Sequence, residues 1–171
     1  MGYWDDKDAD QGFDLGDLLP TKASEGAPAD NRYLFHIETA EVAVSVSDAN
    51  SGVPYIKARA VVDEPTEYQG YSIFPSFWLN PNEDEVKRAK ANARTRGALR
   101  VVLGENAYKQ AIERASNFPS LIDALVDGLA DGKPQFVARV GLESKKKAEA
   151  SGYPAKNTIN YYYPASEWGE G

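Results

Sequence analysis

The chain has 171 residues, 42% hydrophobic and 26% charged, a balance that suits a globular domain with a sizeable core. Its net charge of −7 is concentrated at one end, because residues 1–30 hold eight acids and two bases while the remainder holds 18 acids and 17 bases. With no cysteine and a single histidine, disulfides, thiolate nucleophiles and cysteine zinc sites are excluded, and His36 is alone as a nitrogen ligand for a transition metal.

Residues 1–31 read as an acidic, flexible arm rich in Gly, Asp, Ala and Pro. Tyr3, Trp4, Phe13, Leu15, Leu18 and Leu19 alternate with aspartates in it, a pattern suited to a segment that orders on a partner or folds back on its own domain. Asp6, Asp8, Asp10, Asp14 and Asp17 have part of the spacing of a calcium loop. Gln11 replaces the required Gly, however, and Asp17 replaces the bidentate Glu, so a solvated arm is the expected reading. The opening Met-Gly-Tyr-Trp-Asp-Asp lacks the basic and apolar parts of a signal peptide, and no apolar run reaches the length of a membrane span. The expected location is the cytoplasm, without a membrane.

From Tyr33 the pattern is β. Phe35 and Ile37 hold one parity and Val42, Val44 and Val46 the other, which predicts a long strand with a bulge near residues 39–41. After a tight connection at 48–52, residues 54–62 alternate, with Ile56, Ala58, Ala60 and Val62 inward and Tyr55, Lys57 and Arg59 outward. The third strand, 70–81, is rich in rings on both faces. Tyr71, Ile73, Phe77 and Leu79 point one way, and Phe74 and Trp78 point the other with Ser72 and Ser76.

Helices are expected over 83–103, 108–115 and 120–132, the first capped by Asn82 and the last ended by Gly132. Strands follow at 136–142 and 158–163, joined by a lysine-rich loop. Three strands, helices and two more strands are the order of an OB-fold. The expected fold is therefore α+β, mainly β: an OB-like five-stranded barrel over 32–165 with a helical insertion at about 82–131, the acidic arm before it and a short tail, 166–171, after it.

On that fold the ligand face is formed by strands two and three and the flanking loops. Tyr55, Lys57, Arg59, Phe74 and Trp78 fall on it, and the loop before the last strand adds Lys145, Lys146, Lys147, Tyr153 and Lys156. Rings interleaved with cations suit single-stranded nucleic acid, since bases stack on rings while cations follow phosphates. The bland readings are that Phe74 and Trp78 pack beneath the helices and that the lysines are merely solvated. Lys87, Lys90 and Arg94 share a face of the first helix, either a phosphate-tracking stripe or a solvated surface. For catalysis there is no phosphate-binding Gly loop and no nucleophile–His–acid set, and Asp63, Glu64 and Glu67 form only a loose carboxylate cluster.

Four short motifs add a family likeness: Gly52-x-Pro54-Tyr55-Ile56-Lys57-x-Arg59, Gly70-x-x-Ile73-Phe74 leading to Trp78-x-Asn80-Pro81, Gly132-Lys133-Pro134, and Asn157-x-Ile159-x-x-Tyr162-x-Pro164-Ala165. Over residues 33–165 the chain resembles phage-encoded OB-fold single-stranded DNA-binding proteins, with the long helical insertion and the ending Glu167-Trp168-Gly169-Glu170-Gly171 as departures. The resemblance implies non-sequence-specific binding of single-stranded DNA in replication or recombination, with no enzymatic activity and no cofactor. It also implies recruitment of replication or recombination proteins through an acidic arm or tail. The competing expectation is a protein-interaction or DNA-mimic module whose active part is the acidic aromatic arm.

Overall fold

A computed structural model describes residues 18–22, 26–45, 52–79, 86–152 and 156–168. The calcium-like aspartate run, the capping Asn82, Tyr153 and the last three residues lie outside the described residues.

The chain forms a mainly antiparallel sheet with four α-helices among the described residues. Strand β1 (Arg32–Val44) is central and pairs with β2 (Pro54–Glu64) on one side and β5 (Gln135–Leu142) on the other. Strand β5 in turn pairs with β6 (Asn157–Pro164). The outer edge of β2 carries two short ladders, β3 (Ser72–Ile73) and β4 (Ser76–Phe77). These are the two halves of the single third strand expected from the sequence. Pro75, which has no N–H to give, sits between them, and its carbonyl still accepts from Ala58 N at 3.0 Å.

The parity change in β1 is present as a slip of the β1–β2 ladder between Ile37 and Thr39, leaving Glu38 as the extra residue. It keeps Phe35 and Ile37 in the core before the slip and turns Ala40 and Val42 inward after it. Val42 and Val44 are nonetheless exposed, so the hairpin tip runs past the core.

Helices α1 (Val86–Leu103), α2 (Glu105–Arg114) and α3 (Phe118–Gly132) lie between β4 and β5. Helix α3 lies on β1 and β2, and α1 on β5 and β6. Together they bury Leu99, Val102, Ile122, Leu125 and Leu129 against Phe35, Ile37, Ile56 and Phe136. Helix α3 starts in a reciprocal cap: Ser120 N donates to Asn117 Oδ1 at 2.9 Å and Asn117 N donates to Ser120 Oγ at 3.0 Å. It stops at Lys133, which itself takes the left-handed conformation expected of the neighbouring glycine, at φ 43°. Lys133 Nζ then donates to the carbonyl of Glu38 at 2.7 Å, tying the helix end to the β1 bulge.

Two expectations from composition need correction. The segment after β5 is not a loop: Lys145–Ser151 is a helix, α4, with Ser144 Oγ accepting from Lys147 N and Gly152 closing it at φ 80°. Leu19, assigned to the arm, is 2% exposed in the core cluster. Its N–H donates to Asn157 Oδ1 at 2.8 Å, and Tyr33 Oη donates to the carbonyl of Pro20 at 2.6 Å. The body therefore begins with Leu19 packed against it.

The sheet curls so that its two edges approach. The Phe77 ring on β4 lies 5.8 Å from that of Tyr162 on β6. No ladder joins β4 to β6 among the described residues, and the sheet is open there.

Candidate nucleic-acid interface

The helices occupy one face of the sheet, and the opposite face carries the residues of interest. In β2 the alternation holds: Ile56, Ala58, Ala60 and Val62 are buried, which turns Tyr55, Lys57 and Arg59 outward. In β3 and β4, Ile73 and Phe77 pack inward, so Phe74 points out at 68% exposure. Trp78, next after Phe77, is 38% exposed. The registers Ile56↔Phe77 and Val61↔Ser72 set the outward side chains of the two strands side by side.

Among the described residues, Trp78 packs on β2 rather than beneath the helices. Its indole stacks on Tyr55 with centroids 4.0 Å apart and planes 9° from parallel. Such a pair contributes about 0.5–1.5 kcal/mol beyond buried area and holds both rings in place. Each ring of the pair keeps one face that its partner does not cover, and the Phe74 ring stacks on no other ring among the described residues. Arg59 is positioned by its Nε, which donates to Ser72 Oγ at 3.1 Å. Lys57 lies between Glu41 on β1 and Ser76 on β4 in the ladders. The face therefore offers three rings and two cations along adjacent strands, with one carboxylate beside Lys57.

The remaining predicted residues sit elsewhere in the sheet order. Lys145, Lys146 and Lys147 are exposed on α4, and Lys156 is exposed at the foot of β6. Both belong to the β5–β6 connection, which β1 and β5 separate from β2 in the hydrogen-bonding order. On α1, Arg94 is exposed, while Arg100 pairs with Glu105 at 3.4 Å and lies 5.1 Å over the Tyr108 ring. Arg100, on a different face of α1 from Lys87, Lys90 and Arg94, is thus used within the helical layer.

His36 forms a bridge on the outward face. Nδ1 lies 2.8 Å from Asp63 Oδ1 and Nε2 lies 2.8 Å from Glu38 Oε2. Only the doubly protonated ring donates to both. Burial by itself lowers the His36 pKa, but hydrogen bonds to Glu38 and Asp63 and their charges outweigh it and raise it above 6.5. Glu38 is held below the ordinary carboxylate value, first by its hydrogen bond from His36. Asp63 also accepts from Gln135 Nε2 at 3.0 Å. Asp63 is thus a structural partner of His36 rather than half of a bare carboxylate pair. No group of three His, Asp or Glu residues placed to hold a metal ion occurs among the described residues.

Sequence reasoning passed over a second set on the same outward side. Arg32 and Arg139 are direct cross-strand neighbours, as are Arg139 and Tyr161, while Val137 faces Tyr163. Arg32 lies 4.3 Å over the Tyr163 ring and Arg139 lies 5.7 Å over that of Tyr161. The signal was available in the alternation of Tyr161, Tyr162 and Tyr163, where one ring must face in and two out. Tyr162 is the inward one, and burial raises its pKa above the usual phenol range.

No protein-family model, no curated protein and no solved structure matches the chain.

Proposed function

We propose that the chain binds single-stranded DNA without sequence specificity, by stacking bases on Phe74, Trp78 and Tyr55 while Lys57 and Arg59 hold phosphates. The observation that carries this reading is the exposure of Phe74 and of the Tyr55–Trp78 stack beside two cations, on the face the helices leave open. Large rings at the surface cost free energy in water unless something covers them. Bases cover rings at a gain of roughly 1–3 kcal/mol each, whatever their identity.

The curled sheet is read as an OB-like barrel. In support, β1 pairs with both β2 and β5, β5 pairs with β6, and the Phe77–Tyr162 contact spans the open seam. Binding rather than catalysis is the proposed activity, in the cytoplasm. A role in phage-type replication or recombination, with partner proteins recruited by the acidic arm, follows from the resemblance of the sequence motifs.

The test is fluorescence anisotropy of a labelled oligothymidylate at two salt concentrations. Two phosphate contacts give a slope of about −1.4 in log K against log salt, so affinity should fall at least about sevenfold between roughly 50 and 200 mM. Absence of binding at low salt, by the full chain and by a chain lacking residues 1–17, would refute the proposal. The cut is placed before Leu18 because Leu19 belongs to the core.

A further inference from the structure

Arg32 and Arg139 stand directly opposite each other across the β1–β5 ladder. Like charges in that position repel and weaken a sheet unless something lies between them. Among the described residues neither guanidinium has a carboxylate within ion-pair distance, and the Nε–H of each is buried without an acceptor. Among the described residues, the partners of the two cations are rings: Tyr163 beneath Arg32 and Tyr161 beneath Arg139. These rings fix where the cations sit but accept no hydrogen bond in the plane of the guanidinium.

The surroundings are built rather than loose. Val137, two residues before Arg139 and facing Leu34 on β1 and Tyr163 on β6, is fully buried although it lies on the outward side of β5. Tyr161 next to it is 60% exposed, and its ring is 6.5 Å from that of Tyr163. Two half-buried guanidiniums without a counter-charge among the described residues, beside one ring that is 60% exposed, fit an oxyanion carrying a flat group.

We propose that Arg32 and Arg139 form a second phosphate site, in which a backbone phosphodiester of single-stranded DNA bridges the two guanidiniums while a neighbouring base stacks on Tyr161. This rests on the reading of the chain as a DNA binder and lengthens its footprint, from β4 and β2 across the outward face to β5 and β6. The acids of the His36 bridge, Glu38 and Asp63, lie between the two basic areas, so each area holds the strand separately. A bridging phosphate also accounts for the like-charged pair, since it supplies the missing counter-charge.

The test compares R32Q/R139Q, Y161A and the wild type by oligothymidylate anisotropy from about 0.1 to 1 M salt, with thermal melts as the folding control. Losing the one bridged phosphate lowers the salt slope by about 0.7, so the advantage of the wild type over R32Q/R139Q should shrink about fivefold across that range. Y161A should weaken binding at least about fivefold with little change in slope. R32K/R139K, which keeps the charge, should restore the slope. Inorganic phosphate at matched ionic strength should lower the affinity of the wild type more than that of R32Q/R139Q. A wild type that binds DNA, with R32Q/R139Q folded and unchanged in affinity and slope, overturns this site and leaves the main reading standing. A wild type that binds no DNA overturns both. If R32Q/R139Q melts far below the wild type, Y161A and the phosphate competition against the wild type decide in its place: Y161A binding as tightly as the wild type, with phosphate competing no better than chloride at matched ionic strength, would overturn the site.

Discussion

Phe74 and Phe77 are the same residue three positions apart, on opposite faces of one interrupted strand. Phe77 is 3% exposed and meets the Tyr162 ring, whereas Phe74 is 68% exposed. Truncating a buried phenylalanine typically costs about 3–5 kcal/mol, because the site cannot fully collapse into the space left. For a chain of this size that lowers the melting temperature by roughly 6–20 °C. Phe74 hides only about a third of its surface. At about 25 cal/mol per Å² that is roughly 1–2 kcal/mol, an upper figure because an unfolded chain already hides some of the ring. Its melting temperature should therefore fall by only about 2–8 °C. Binding should show the reverse order. F74A loses a stacking platform worth roughly 1–3 kcal/mol, which weakens the affinity for oligothymidylate about 5- to 150-fold. F77A, assayed well below its own melting point, should bind like the wild type. Circular dichroism melts and anisotropy titrations on the two variants provide the comparison. If F74A binds as tightly as the wild type, Phe74 is not a base platform. If F77A melts no lower than F74A, the assignment of faces is wrong.

Other outcomes follow from the same structure. The His36 bridge predicts a loss of stability with rising pH: the folded-state pKa lies above 6.5, so the stabilisation is complete below about pH 6.5 and disappears as pH climbs through the folded value. Glu38 acts oppositely, its contribution present above about pH 4.5 and lost as pH falls through its lowered folded value. Melts of wild type and H36N from pH 5 to 9 should show the wild-type advantage shrinking at the alkaline end, and parallel curves would remove the bridge as the cause. L19A should cost about 2–5 kcal/mol in denaturant unfolding, because Leu19 is packed in the core; a cost near zero would return it to the arm. N117A breaks the cap of α3 and should cost about 1 kcal/mol with no effect on DNA affinity, measured by the same melts and titrations.

The elements were largely legible in the sequence because their signals are local. Strict alternation in 54–62 has one solution, a half-buried strand, and the change of parity after Ile37 required an extra residue in β1, found at Glu38. The opposite directions of Phe74 and Phe77 follow from period two alone. The break of the third strand could also have been read, since Pro75 has no N–H for the ladder. Other features were harder to see. On charge alone the lysines and alanines after Ser144 suggest a loop, although a serine cap, a run of good helix formers and a closing glycine describe a helix. Leu19 was hidden by the composition of its neighbours, since an averaged segment says nothing about one side chain that finds a pocket.

The sequence by itself determined which residues share a face, where strands and helices fall, and which catalytic chemistries lack their groups, because periodicity and side-chain inventory need no partner to be read. It left two readings for Phe74 and Trp78, since a ring on a strand does not say what lies above it. Only the tertiary structure decided that, by packing the helices on the opposite face and pairing Trp78 with Tyr55. It alone set Arg32 against Arg139, residues more than a hundred positions apart, because strand pairing depends on how the whole sheet curls around its core.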